Sequence, residues 1–327
     1  MKHHVRLSSA EIGSLWEAYM LNGMSICIMK HFQKYLEDED IKPILSKALQ
    51  VAKSRVEEIE RIFKAEKFPV PAGYSDQDVN LSAPPLFHQE FSLSFVYAMG
   101  RMAMINYAYI TSSVARPDVR DFFKRCLQDS VDLFDQSVNL MLEKGIYDRP
   151  PMINYPKKVT FIEDSSIFTG YLNEDRPLNT IELSEMFLNI ERNYFGTMLC
   201  VGFIQTVTDK QIKKFIEKGK EICDKQLKFF NQILVKENLL GTVPTQMLVT
   251  DSTVSPFSDR LITQLFTALN KIDITLIGHS LSLSMRSDLA VYLTKLLAEV
   301  LKYAQDGFEI LVKRKWMEQP PQALRRK

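Results

Sequence analysis

The residues able to do chemistry in this chain of 327 are few and scattered. There are five histidines: His3, His4, His31, His88 and His279. A carboxylate dimetal centre in a helical bundle takes a Glu from each of two helices and Glu-x-x-His from each of the other two. No histidine here has Asp or Glu three residues before it. Carboxylates do gather as Glu57, Glu58 and Glu60, and as Asp129, Asp132 and Asp135. The first set spreads round a helix and the second lies beside a clean apolar stripe, so both are expected to be solvated. Cys27, Cys126, Cys200 and Cys223 share no CxxC or other metal-ligand spacing, and no disulfide framework is expected. The sequence contains no Gly-rich phosphate loop, GxSxG, HExxH or EF-hand loop. The expectation is a chain without catalytic residues, metal or cofactor.

Charged residues of another kind recur. Arg116 and Asp118 open a segment that ends at Pro150 and Pro151; Arg286 and Asp288 open its diverged copy, which ends at Pro320 and Pro321. The two copies lie 170 residues apart. These four residues are the candidate structural or interaction site, with capping and loop anchoring as their expected role. A second device also occurs twice. Ser8 with Glu11, and Asn179 with Glu182, have capping-box spacing just before an apolar-periodic run. A metal reading would reach for Glu11 and Glu182, but capping explains their match.

The elements that must hold these residues are helices. The first carries Ile12, Trp16, Tyr19, Gly23 and Ile26 inward, and its twin carries Leu183, Phe187, Ile190, Tyr194 and Thr197. A second helix is expected over 38–67. A third, over 87–113, is apolar on most faces. The fourth has a stripe of Phe123, Leu127, Val131, Phe134, Val138 and Met141, matched by Leu293, Leu297, Leu301, Ala304, Phe308 and Leu311. Long loops at 68–85 and 240–256 separate the second and third helices and are expected to cross a bundle end or pack along its side. The fold class is all-α, two tandem four-helix bundles related by an internal repeat. The first spans 1–150, a connector 151–177, and the second 178–327. Val159, Phe161, Ile162, Ile167 and Phe168 give the connector enough apolar area to lie on a bundle surface.

With 41 basic against 40 acidic residues the chain lacks the basic surplus of a nucleic-acid binder. Its most apolar run, 91–110, contains Arg101 and Asn106, which argues for a buried helix and against an integral membrane protein. The N-terminus shows no signal-peptide core, so a cytoplasmic location is expected. A protein partner of unknown identity, or self-association, is the expected interaction. An alternative is a small apolar ligand held near Tyr19, Met24, Met99, Met102 and Met104.

The segments LSSAEIGSLWEAYM, FPVPAGYSDQDVN, ARPDVRDFF, EKGIYDRPP, RPLNTIELSEMFLNI, VTDSTVSPFSDRL and KYAQDGFEILVKRKWMEQPPQA together resemble a family of endospore-forming bacteria, in the same order and spacing over nearly the whole chain. The resemblance implies two ferritin-like four-helix bundles in tandem, an association with spore-coat proteins of the coat F type, and no established activity. Members often place His in the second helix where this chain has Arg55, and sometimes where it has Gln226, so a site built on those histidines is lacking here. The functional expectation is a non-catalytic structural or interaction protein, sporulation-related by resemblance. The alternatives are a ferritin-like metal-binding protein or oxidoreductase, and the apolar-ligand binder.

Overall fold

The computed structural model describes residues 5–163, 168, 176–239, 241 and 247–323. Among these the fold is all-helical, in two similar halves. The first half holds α1 (Ser9–Tyr35), α2 (Ile41–Ala65), α3 (Glu90–Ser113) and α4 (Pro117–Glu143). The second holds α5 (Thr180–Thr206), α6 (Lys210–Lys236), α7 (Asp259–Leu283) and α8 (Ser287–Lys313).

Local chemistry sets the helix ends. Ser8 and Glu11 form a full capping box on α1, as do Asn179 and Glu182 on α5. This satisfies amides that a helix start leaves without partners. Pro117 sits in the first turn of α4, where its missing N–H costs nothing. After α2, α4 and α6 the backbone turns left-handed at Lys67, Gly145 and Asn238. The next amide, of Phe68, Ile146 or Leu239, then donates back to the carbonyl of Phe63, Met141 or Leu234. That is the Schellman closure.

The fourth-helix stripes match the expected ones in part: Phe123 and Met141 on α4 and Leu293, Ala304 and Leu311 on α8 are buried as expected, and the rest of each buried row is different. On α4 the buried row is Val119, Phe123, Cys126, Ser130, Leu133, Ser137 and Leu140, while Val131 is exposed. On α8 it is Leu289, Leu293, Leu296, Val300, Tyr303, Gly307 and Ile310, while Leu301 and Phe308 are exposed. The reason on α4 is that Ser130 and Ser137 hide their polarity by donating to the carbonyls of Cys126 and Leu133, one turn back.

The chain forms two compact units. One comprises Met1–Tyr147 with Leu248–Ile262 and Arg314–Lys327; the other comprises Asp148–Met247 with Thr263–Lys313. Two stretches from the second copy of the repeat thus belong to the first unit. There the two long loops pair with each other as an antiparallel ribbon. Isolated bridges join Val79 to Phe257 and Phe87 to Val249. The amides of Asn80 and His88 donate to Pro256 and Leu248 at 2.8 and 3.0 Å, and those of Thr250 and Ser258 return to Leu86 and Asp78 at 3.0 Å each. Phe87 and Phe257 therefore sit in the ribbon, and α3 and α7 start beyond them. Gly23 on α1 faces this loop: a β-carbon there would meet the Tyr74 backbone at 3.5 Å, an ordinary van der Waals contact.

The connector differs too. Met152, Tyr155, Val159, Phe161 and Ile162 are exposed, not packed on a bundle. Ile167 lies outside the described residues.

Candidate functional site

The Arg-x-Asp pairs form matching corners, one in each half. Arg116 grips Asp118 through Nε and a terminal nitrogen at 2.8 and 2.7 Å, and reaches Glu66, at the end of α2, at 2.7 Å. The Glu11 carboxylate accepts from the amides of Ala115 and Arg116 while it caps α1. The starts of α1 and α4 and the end of α2 are thereby tied at one point. In the second half Arg286 holds Asp288 at 3.0 and 2.8 Å and Glu237 at 2.7 Å, and Glu182 accepts from Met285 and Arg286. Arg286 is more enclosed, with its side chain 1% exposed against 12% for Arg116. Burial alone would raise the carboxyl pKa of Glu182, but Arg176 and the amides of Asn179, Arg286 and Met285 outweigh it and hold the group below its usual range. The Arg116 guanidinium likewise lowers Asp118. The geometry is that of charge-assisted structural pairing, with bidentate forks on both arginines. Glu66 and Glu237 were not among the expected residues. Their matching place after the two second helices, 171 residues apart, was the available signal.

The middle of each bundle contains a guanidinium. In the first half Arg55 of α2 donates to the Cys126 carbonyl at 2.8 Å and to Ser130 Oγ at 3.2 Å, and lies 5.0 Å from the centre of the Tyr107 ring. Asp129 Oδ2 is 3.6 Å away. In the second half Arg192 of α5 donates to Gln226 Oε1 at 2.9 Å and pairs with Asp273 of α7 at 3.2 Å. Asp273 keeps 23% of its side chain in solvent, but the bulk of protein around it raises its pKa; Arg192 opposes this. Asn22 and Asn193, aligned in the repeat, each donate to the carbonyl four residues back and to one side chain, Tyr107 and Gln226 respectively. A dimetal carboxylate site needs a surplus of negative charge at this depth. The residues present do not fit one: a fixed cation stands at each bundle centre. Among the described residues no three His, Cys, Asp or Glu gather to hold a metal.

Of the histidines, His31 is buried, with Nε2 against the Ala83 carbonyl at 3.2 Å, and burial lowers its pKa. His279 meets Glu185 at 3.2 Å on the surface of the second unit. His3 and His4 lie outside the described residues.

The expected apolar pocket residues differ in their surroundings. Tyr19 packs over Gly73, where a β-carbon would come within 2.8 Å of its ring, and its hydroxyl donates to Glu60. Met24 is buried in the core, while Met99, Met102 and Met104 are half-buried. A cleft of about 230 Å³ lies elsewhere in the first unit, between the end of α1 and the ribbon, among His31, Tyr35, Phe87, His88, Glu90 and Thr250. It is smaller than the pockets that enclose most cofactors.

The ribbon has its own charge cluster. Arg260 holds Asp78 at 3.2 and 2.7 Å, donates to the Gly73 carbonyl at 2.7 Å and covers the Tyr74 ring at 4.5 Å. Glu318 accepts from the amides of Ala72 and Gly73 at 3.0 and 2.8 Å. No helix among the described residues is long and apolar enough to cross a membrane.

Comparison with curated proteins found no match. A solved structure, that of a "putative spore coat protein" from Bacillus halodurans C-125, is similar with a TM-score of 0.40 and 17% identity, over 46% of this chain and 98% of that one. The family model described as a protein of unknown function, DUF3231, matches residues 1–159 and again residues 166–327. The chain therefore belongs to the DUF3231 family and carries its domain twice.

Proposed function

We propose that this chain is a non-catalytic structural protein that works by binding a protein partner or further copies of itself. The observation that carries the reading is the state of its charged groups. Arg116, Asp118, Arg286 and Asp288 are committed to intramolecular corners, and Asp78 and Arg260 to the loop ribbon. Long loops often hold function; these two satisfy each other. The repeats 1–150 and 178–327 act as ferritin-like bundles without the ferritin-like metal chemistry, joined by the connector 151–177. The sporulating cell and the spore are the setting that the family resemblance implies, with the protein made in the cytoplasm.

The reading is tested by crosslinking the tagged protein in extract of cells that produce it, together with sedimentation of the purified chain. A discrete self-assembled species, or a crosslinked partner that co-purifies in fixed ratio, is expected. A chain that stays monomeric at tens of micromolar and crosslinks to nothing reproducible would sink the idea.

A further inference from the structure

The thiols of the second unit form a pair. Cys200 on α5 and Cys223 on α6 are in hydrogen-bonding contact. Each cysteine follows a glycine by one turn: Gly196 before Cys200 faces α6, and Gly219 before Cys223 faces Tyr303 of α8. A β-carbon on Gly196 would come within 3.2 Å of Cys223 Sγ, so this sulfur rests on the bare backbone of α5 one turn from Cys200. Behind the pair lies Tyr303. It is 4% exposed, its hydroxyl has no hydrogen-bond partner, and this hydroxyl would lie 2.3 Å from a β-carbon on Gly219. The two sulfurs differ in access: Cys200 is 1% exposed, whereas Cys223 is half-buried. Cys27 and Cys126 are isolated thiols buried in the first unit.

We propose that Cys200 and Cys223 are a peroxide-sensitive dithiol, with Cys223 as the sulfur oxidised first and Cys200 as the resolving thiol. A hydroperoxide transfers one oxygen to Cys223. Its O–O bond breaks, the sulfur loses two electrons to become a sulfenic acid, and water or an alcohol leaves. The Cys200 sulfur then attacks the sulfenic sulfur. The S–S bond forms as the S–O bond breaks, and the hydroxyl leaves as water with the Cys200 proton. The order follows from access, because an oxidant reaches Cys223 without opening the core. The hydrogen bond with Cys223 and burial both push the Cys200 thiol up, which disfavours it as the sulfur oxidised first. The product staples α5 to α6 and leaves the first unit untouched.

The test uses the full chain, reduced and then exposed to hydrogen peroxide, with free thiols alkylated under native and denaturing conditions and mapped by mass spectrometry. The expected result is the loss of two thiols per chain as a Cys200–Cys223 disulfide, with Cys27 and Cys126 still alkylated in the denatured sample. Cys200→Ser should stop at a sulfenic acid on Cys223 that dimedone traps. Cys223→Ser should lower the rate of thiol loss at least tenfold, while circular dichroism checks that both variants fold. Oxidation spread equally over all four cysteines, or a wild-type chain that loses thiols no faster than Cys223→Ser, would overturn the proposal. The wild-type map decides even where a variant fails to fold.

Discussion

Arg286 is fully enclosed and holds two carboxylates, so its truncation strands charge inside the protein. Removing one partner of a buried ion pair costs roughly 3–5 kcal/mol. For a unit of this size each kcal/mol moves the melting temperature by about 2–4 °C. Arg286→Ala should therefore lower the melting temperature on the order of 10 °C. Arg116→Ala should cost less, because Asp118 has 55% of its side chain in solvent whereas Asp288 has 23%. Thermal melts of the two variants check the ranking; equal melting temperatures would contradict it. Glu182 gives the corner a pH dependence. Its pKa is depressed in the folded state. Its contribution is thus complete above the ordinary glutamate value of about 4.3 and is lost as pH falls through the lower folded value. Glu182→Gln should melt lower at neutral pH and show a shallower decline below about pH 4. At this scale the sequence was readable where a device repeats with local spacing, as in the capping boxes and the Arg-x-Asp pairs. It was not readable at Arg55 and Arg192. A lone arginine within a helix looks like a solvated one, and only packing across three helices reveals that it is enclosed.

The helices themselves were legible because caps, Pro117 and Gly145 act within a few residues. Their inward faces were less so. The apolar count favours Val131, Leu301 and Phe308, yet all three are exposed, while Ser130 and Ser137 go inside by bonding their own helix. Glycines separate the close helix contacts from the loose ones. Gly278 has no neighbour within 4 Å of where a β-carbon would lie, so Gly278→Ala should stabilise by roughly 0.5–1 kcal/mol through helix propensity. Gly219→Ala should destabilise, because the new methyl group meets the Tyr303 hydroxyl at 2.3 Å. Tyr303 cannot swing away easily, being buried and stacked on Phe215 at 4.5 Å. Overpacking of this kind costs about 1–3 kcal/mol, more than the propensity gained. Chemical denaturation of the two variants should shift the midpoint in opposite directions; a rise for both would show that α6 has slack beside Tyr303.

Over the whole molecule the repeat is not simply cut in two. The loops after α2 and α6 pair crosswise: Val79 bridges Phe257, the repeat equivalent of Phe87, and Phe87 bridges Val249, the equivalent of Val79, and the paired stretches both belong to the compact unit built around α1–α4. Nothing in local sequence announces this, because the partners lie more than 160 residues apart and each loop alone reads as an irregular crossing. The charges at the ribbon make it testable. Arg260→Ala leaves Asp78, with 6% of its side chain exposed, without its guanidinium. Amide exchange should quicken over residues 73–80 and 256–258 and stay unchanged in α6. Unchanged exchange in the ribbon would mean that backbone pairing alone holds it.

The central claim is that both bundles are held by fixed cations, hydrogen bonds and apolar packing and serve structure, not metal chemistry. Its most direct test is the metal content of the purified full chain after anaerobic loading with Fe(II) or Mn(II), read beside the melting temperature. The account predicts no metal retained in stoichiometric amount and an unchanged melt. Retention of two metals per bundle with a raised melting temperature, as binding to the native state requires, would contradict it.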